Sequence, residues 1–262
     1  MTISNVFAFD IETVPDVEFG RRLHGLEGLT DKQVGYVMQT RQREQTGSEF
    51  LSLEQHRVVA ISVAMRTRDG FKACSLGDPA SSEADLVRRF FDGIERYSPT
   101  LVSWNGSAFD LPVLHYRALR HGVQAHRYWE MGEEDQAFRW NNYISRFHWR
   151  HVDLMDVLSG FQGRGRTGLD QMAQLLGLPG KLGLSGEGVW EAHLDGRSED
   201  IRHYCETDVI NTYLIYLRFE LMRGRLTHDE HARECGLVRA WLGDAGQAHL
   251  AGFLAAWPAD AG

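Results

Sequence analysis

Two acidic residues near the start of the chain have a spacing that suits metal chemistry. Asp10 and Glu12 stand two residues apart in "NVFAFDIETVP", an alternating stretch that predicts a β-strand. Alternate strand side chains share a face, so both carboxylates point the same way. Adjacent anions repel unless one protonates or a cation lies between them, and their hard oxygen atoms suit Mg²⁺ or Mn²⁺. A solvated strand end explains this pair equally well by itself.

Asp110 follows the short apolar strand "TLVSW" and the turn "NGSAF", where a helix is predicted to begin. Open α/β sheets place ligand-binding groups at such strand ends. Aspartate is also a common helix cap, and Pro112 fits a first helical turn, so a capping role remains open.

Asp208 lies inside a predicted helix, at the edge of an apolar stripe that includes Cys205 and Val209. Aspartate is a poor helix former, and an acid beside a core requires a partner or a metal ion. A structural salt bridge is the alternative, because arginines are abundant in this chain.

The composition is that of a soluble globular protein, and its charge has two interpretations. The 262 residues carry a net charge of −8 and three widely spaced cysteines, which form no CxxC pair. A negative charge argues against a nucleic-acid partner, but bound cations reverse the local sign in a metal-dependent enzyme. No apolar run is long enough to span a bilayer and the N-terminus lacks signal-peptide regions, so we expect a cytoplasmic protein without membrane contact.

Sequence patterns predict a single α/β domain over 1–262, with a helical insertion at 16–56 and a helical tail after about residue 225. Strands are predicted at 5–15, 57–67, 70–77 and 100–104, helices at 82–97, 105–122, 168–181 and 198–223, and a strand turning into a helix at 151–161. Asp69-Gly70 marks a hairpin turn, and Ser82 and Ser198 are predicted helix caps. This order is that of a ribonuclease-H-like mixed β-sheet with helices on both sides.

Three motifs, "FDIET", "NGSAFDLP" and "YCETD", resemble those of the DEDD-type 3′–5′ exonucleases. The resemblance is strongest to the proofreading domain of family-B DNA polymerases and to stand-alone bacterial proteins related to it. It extends from about residue 5 to about residue 224, and the three motifs occur in the same order.

The exonuclease family has two versions, and this chain satisfies the spacing of both. One version places a tyrosine four residues before the last aspartate, as Tyr204 stands before Asp208; the other places a histidine five before it, as His203 does. On a helix, at about 100° per residue, Tyr204 lies about 40° from Asp208 and His203 about 140° away. We therefore choose Tyr204, the DEDDy version, and interpret His203 as a surface or packing residue.

The resemblance implies hydrolysis of terminal phosphodiesters with two divalent ions, Mg²⁺ or Mn²⁺. Asp10, Glu12 and Asp208 would hold one ion, and Asp10 with the substrate phosphate the other, which Asp110 would also hold directly or through water. Tyr204 would orient the attacking water. The expected substrate is the 3′ end of single-stranded DNA or RNA, with DNA favoured by the polymerase resemblance, and the products are nucleoside 5′-monophosphates.

Candidate substrate-binding residues adjoin these acids. The backbone at Thr13 and the side chain of Val14 would receive the terminal nucleotide, and Asn105 and Phe109 are candidates for sugar-phosphate contact and base stacking. The segment "QAFRWNNYISRFHWRH", at 136–151, holds five aromatic residues, three arginines and no acid, a composition that suits single strands or a core beside the sheet.

Two rival functions fit part of the sequence. An aspartyl-nucleophile phosphatase also begins with an acid pair after a strand, but its second acid is normally aspartate and it needs a downstream lysine. A nucleic-acid-binding module that has lost catalysis ranks lower because all four acids are present.

Overall fold

A five-stranded mixed sheet forms the centre of the computed structural model, which describes residues 5–258. Its strands are β1 (Val6–Pro15), β2 (His56–Thr67), β3 (Gly70–Ser75), β4 (Thr100–Ser103) and β5 (His151–Asp153). The order across the sheet is β3-β2-β1-β4-β5. The first three strands pair antiparallel, and β1, β4 and β5 run parallel. The acidic strand β1 is therefore central.

Helices cover both faces of this sheet, which confirms the predicted α/β ribonuclease-H-like class. They are α1 (Val17–His24), α2 (Asp31–Thr46), α3 (Glu83–Tyr97), α4 (Asp110–His121), α5 (His126–Trp129), α6 (Leu154–Leu158), α7 (Leu169–Leu175), α8 (Val189–Leu194), α9 (Ser198–Met222), α10 (His228–Asp244) and α11 (Ala248–Ala256). None of the helices within 5–258 combines the length and apolar character needed to cross a membrane.

The alternation of β1 decides which helix the two acids face. Its odd-numbered residues pack in the core with α3 and α4: Phe7, Phe9 and Ile11. Its first even-numbered residues pack in the core with α9: Val6 and Ala8. Asp10 and Glu12 continue the even row, so both carboxylates lie on the α9 side of the sheet.

The pairing of β1 changes where the acids lie. The register with β2 shifts between Glu12 and Thr13, a β-bulge that re-aims the following side chains. On the opposite edge, β4 pairs with residues 6–8 of β1 and then ends. The part of β1 that carries the acids is therefore open along its β4 edge.

Local signals predicted most element ends to within two residues, but α4 begins only at Asp110 and α7 already ends at Leu175. Ser82 caps α3 by accepting a hydrogen bond from the Asp85 amide, and Gly70 follows the hairpin turn between β2 and β3. The predicted cap at Ser198 is wrong: α9 begins at Ser198, and the cap position belongs to Arg197, whose side chain makes no capping bond. Ser198 is followed by Glu199 and Asp200, and this local sequence is compatible with Ser198 either as the cap or as the first helical residue.

The segment predicted as a helical insertion, 16–56, contains α1, α2 and a short 3₁₀ turn. Its apolar residues form a small cluster with Trp190 of α8: Val17, Val34, Met38 and Leu51. Gly35 allows the close approach of α2 to α8, since a Cβ at that position would lie 2.9 Å from the Trp190 ring. The segment is thereby fixed beside the end of β1.

A buried ion-pair network ties the end of β1 to the helix layer. Arg117 of α4 donates to Asp16, directly after β1, at 2.7 Å and to Glu83 of α3. Glu83 also accepts from the Val58 amide of β2 at 2.7 Å. All three charged side chains are buried, and Arg117 is the partner that the two carboxylates share. Asp16 also lies 3.4 Å from Arg120, and Glu83 also lies 2.7 Å from His121.

We predict that Arg117→Ala destabilises the fold by about 3–5 kcal/mol, because two buried carboxylates lose the buried arginine that they share. Urea unfolding followed by circular dichroism measures this change. The control is Arg22→Ala, which removes an exposed arginine paired with Glu18, and a change within about 0.5 kcal/mol is expected. Equal losses in the two variants would contradict the network's role.

Candidate active site

Four carboxylates from three elements converge at the open part of β1. Asp10 and Glu12 come from β1, Asp110 from the start of α4 and Asp208 from within α9. They are close enough that the other three acids raise the pKa of Asp10 by charge repulsion. Asp10 is partly accessible, whereas the other three are buried. The structure thus brings together every predicted metal-binding residue.

Asp110 is held against β1 and does not cap its helix. Its Oδ1 accepts a hydrogen bond from the Ile11 amide at 3.1 Å. Phe109 occupies the cap position of α4, and its side chain makes no capping bond. The capping alternative is therefore wrong, and the carboxylate takes a backbone donor that β4, which has already ended, cannot pair.

Asp208 lacks the salt bridge that was its structural alternative. Its Oδ1 is buried without a hydrogen-bond partner, and no arginine pairs with it among residues 5–258. Burial raises its pKa to about 6, although Lys181 and Tyr204 act in the opposite direction. A buried carboxylate oxygen that has no hydrogen-bond partner and lies beside other acids is typical of a metal ligand.

The electrostatics of the cluster favour binding of cations. Burial, followed by repulsion from neighbouring acids, raises the pKa values of Asp10 and Glu12 well above normal. Burial also raises the pKa of Asp110 to about 7, with a further contribution from Asp153. Divalent cations would remove both penalties, and an all-carboxylate set matches the oxygen preference of Mg²⁺ or Mn²⁺.

Cys205 adds a thiol to this cluster. Its Sγ and one ligand atom each of Asp10 and Glu12 lie within 4.8 Å of one another. The thiol donates to the Asp10 carbonyl oxygen at 3.4 Å, and burial raises its pKa well above normal. A protonated thiol bonded to backbone packs α9 against β1 and leaves the carboxylates as the hard ligands.

The structure separates the two candidate helpers of Asp208. Tyr204 is buried beside the acids, and its pKa is raised by burial and then by Asp208 and Glu12, so the hydroxyl keeps its proton. His203 stacks on His249 of α11, with ring centroids 3.8 Å apart, and lies away from the cluster. The helical geometry predicted from the sequence is the observed one.

Lys181 is a site residue that sequence reasoning missed. Its Nζ donates to the Tyr204 hydroxyl at 2.6 Å, and its charge lowers the pKa of both Glu12 and Asp208. The lysine follows Gly180, whose amide and carbonyl both bond the buried Asn211 side chain of α9. The signal available in the sequence was the rarity of lysine, which occurs only at positions 32, 72 and 181.

A groove of about 580 Å³ lies next to Glu12. It is lined by three of the four predicted substrate-binding residues, namely Thr13, Val14 and Phe109. Val14 is only 2% exposed, so it offers little surface to a ligand. Asn105 is not among the lining residues; it has a positive φ of 68° and shapes the turn before α4, and its predicted substrate contact stays a prediction.

His56 is a second missed residue, and it sets the chemistry of Thr13. Burial lowers the pKa of His56, so the ring is neutral, and its Nε2 must donate to the Leu51 carbonyl at 3.2 Å. Its Nδ1 then accepts from the Thr13 hydroxyl at 2.8 Å. Thr13 lines the groove, and its hydroxyl oxygen keeps the capacity to accept a hydrogen bond. This pairing joins residues 43 positions apart, which no local pattern indicates.

Residues 48–257 match the family described as a predicted 3′–5′ exonuclease related to the exonuclease domain of PolB. That range contains Asp110, Tyr204 and Asp208, whereas β1 precedes it.

The chain is also similar to curated DNA polymerases. It is 25% identical to the DNA polymerase of Archaeoglobus fulgidus over 171 residues. The matched residues make up 64% of this chain and 21% of that polymerase. It is 23% identical over 226 residues to a catalytic polypeptide of DNA polymerase epsilon from Arabidopsis thaliana, which is 82% of this chain and 10% of that protein. The matched region is therefore a small part of each polymerase.

We predict that Asp208→Asn stabilises the metal-free protein and abolishes stabilisation by Mn²⁺. The amide carries no charge and can donate to neighbouring carboxylates, so Tm in chelator rises by about 2–4 °C, equivalent to about 1 kcal/mol. Because the fold raises the pKa of Asp208 to about 6, its charge destabilises the fold increasingly as pH rises from about 4 to 6. The gain is therefore expected above pH 6 and should vanish near pH 4.

Thermal unfolding in chelator and in Mn²⁺ measures both effects. Asp195→Asn is the control, since that carboxylate is 63% exposed and lies outside the cluster. A lower Tm for Asp208→Asn in chelator, or an unchanged Mn²⁺ response, would count against a metal-binding role.

Proposed function

The chain belongs to the family of predicted 3′–5′ exonucleases related to the exonuclease domain of PolB, and from that premise we propose how it works. We propose that it removes single nucleotides from the 3′ end of single-stranded nucleic acid, with two divalent ions, Mg²⁺ or Mn²⁺, at the acidic cluster. Its products are nucleoside 5′-monophosphates. DNA is the favoured substrate because the similar proteins are named DNA polymerases.

The observation that carries the proposal is the unpartnered Asp208 oxygen among three other carboxylates, beside an open groove. Bound cations would relieve the repulsion between the carboxylates of this cluster. Divalent ions held there would compensate the charge of the phosphate and would lower the pKa of a water. Asp10, Glu12 and Asp208 are the proposed ligands of one ion, and Asp10 and Asp110 of the other.

The groove suits the sugar and base of a terminal nucleotide. Its lining contains no lysine or arginine, and away from the acidic cluster it contains Glu49 and Glu187, which disfavour phosphate there. The phosphate therefore belongs at the metal-binding acids. Phe109, in contact with Phe50 at 5.5 Å between ring centroids, offers an aromatic wall for the base.

Thr13 and His56 are positioned to recognise a free 3′ hydroxyl. The neutral His56 ring accepts the hydrogen bond that the Thr13 hydroxyl can donate, so the Thr13 oxygen can only accept a hydrogen bond from a ligand. A sugar hydroxyl is a donor of the right kind, and a 3′ phosphate is not. End recognition thus follows from the tautomer of a buried histidine.

Tyr204 and Lys181 are proposed to position the attacking water. Lys181 donates a hydrogen bond to the Tyr204 oxygen, so the Tyr204 proton points away from Lys181. Asp208 is close enough to raise the pKa of the Tyr204 hydroxyl. The hydroxyl keeps its proton at neutral pH because its pKa is raised, and it therefore acts by hydrogen bonding and not as a base.

We predict shortening of a 5′-labelled single strand from its 3′ end in Mg²⁺ or Mn²⁺, with none in chelator. A 3′ phosphate should block the reaction, because it cannot donate to Thr13. Gel electrophoresis of DNA and RNA strands of the same sequence measures both the direction and the preference. Internal cleavage would exclude an exonuclease. Strand binding without nucleotide release would favour the inactive nucleic-acid-binding module. Covalent phosphorylation of Asp10 would favour a phosphatase.

We predict that Tyr204→Phe lowers kcat by about 10- to 100-fold, the scale expected when a reacting group loses its orientation. His203→Ala should change kcat by no more than about twofold, because that ring stacks outside the cluster. Single-turnover hydrolysis at saturating metal gives the comparison. A greater loss from the histidine variant would assign the role to His203.

A further inference from the structure

The turn that carries Asp110 has a second pocket on its other side. Phe109 lines the groove beside Glu12, whereas Ser107 and Ala108 line a separate cavity of about 390 Å³. We name this cavity the arginine pocket; its lining includes Ser107, Ala108, Trp129, Ile144, Arg146 and Arg166. We propose that the arginine pocket binds an upstream nucleotide of the same strand whose 3′ end lies at the acidic cluster. This inference rests on the proposed function.

The pocket contains two guanidinium groups and the carboxylate of Asp156, and Arg146 is the cation left for a phosphate. Arg166 pairs with the buried Asp156 at 2.6 Å, which fixes its position and offsets its charge. Arg146 lies over the Phe161 ring at 4.6 Å and makes no ion pair with any carboxylate in the part of the chain that the structure describes. An exposed arginine without a counter-ion, held in place by a ring, is available to a phosphate.

The opposite wall offers a stacking surface and an unused polar atom. Trp129 is about half exposed and contacts the His115 ring, with centroids 4.9 Å apart. His115 also lines the pocket, and its Nε2 is buried without a hydrogen-bond partner. Burial lowers the pKa of His115 to about 4, so the neutral ring can bond to a base edge. The volume is within the range of small-ligand pockets.

The aromatic-rich segment 136–151 divides into a core part and a surface part. Phe138 and Tyr143 are buried in the cluster under α3 and α4. Trp140 is 79% exposed and Phe147 is 72% exposed. Each exposed ring lies beside an arginine, Arg139 at 5.8 Å and Arg146 at 5.5 Å. The core interpretation is therefore confirmed for Phe138 and Tyr143, and strand binding by the exposed rings stays a prediction.

Charge complementarity selects nucleic acid as the occupant. The protein carries a net charge of −8, yet 136–151 contains three arginines and no acid. Alternating rings and guanidinium groups match the bases and phosphates of a single strand. The segment adjoins the Asp110 turn through the arginine pocket, so one strand can contact both sites.

The first test compares strand lengths in Arg146→Gln and Trp129→Ala. Both variants should raise KM for an octanucleotide about fivefold or more, leave its kcat unchanged and leave kcat/KM for a dinucleotide unchanged. Arg146→Gln should also reduce the slope of log KM against log salt by about 0.7, the value for one phosphate contact on a single strand. Arg96→Gln is the matched control, an exposed arginine over Tyr97 outside the pocket. An equal effect on the dinucleotide, or none on the octanucleotide, would overturn the inference.

The second test uses the unmodified protein and does not depend on hydrolysis. Strands with 4-thiothymidine at the third to fifth position from the 3′ end are irradiated with the protein in chelator, and cross-linked peptides are identified by mass spectrometry. Cross-links to peptides within 126–149 support the inference, and cross-links confined to other segments contradict it. If the protein cross-links there but releases no nucleotide in Mn²⁺, the proposed function fails and the strand-binding inference stands.

Discussion

Repulsion among four largely buried carboxylates is the constraint on which the rest of this structure depends. Burial alone raises the pKa of each acid, and the neighbouring negative charges add to it at Asp10 and Glu12. The fold offsets this cost from several sides. The Ile11 amide bonds Asp110, and the charge of Lys181 lowers the pKa of both Glu12 and Asp208. Under the proposed function, divalent cations would compensate the remaining charge.

The sheet is shaped to make that cluster accessible. β4 ends after pairing with three residues of β1, which frees the edge at which the Asp110 carboxylate lies. The bulge after Glu12 breaks the regular pairing with β2 at the opposite edge. Irregular pairing next to a site is a common device for aiming side chains. Beyond the acids, the Arg117 network anchors the chain at Asp16 to α4 and β2.

Sequence patterns predicted what depends on near neighbours in the chain. The alternation of β1, the Asp69-Gly70 turn and the 3.6-residue period of α9 are local properties, and they also separated Tyr204 from His203. The rest depends on contacts between distant residues. The sequence around Asp110 is also typical of a helix cap, and only the contact with the distant Ile11 amide shows its actual role. Lys181 contacts Tyr204 from a loop 23 residues earlier in the chain. Cap positions also failed at Ser198, where adjacent registers have nearly equal propensity.

One consequence follows from the connection between β1 and β2. Antiparallel neighbours can be joined by two residues, yet here about forty residues intervene, and part of them, including Phe50 and Leu51, lines the groove. Strand pairing does not depend on the length of this connection, and surface connections tolerate insertions and deletions. A change in the length of this connection would therefore reshape the groove without moving the acidic residues of β1.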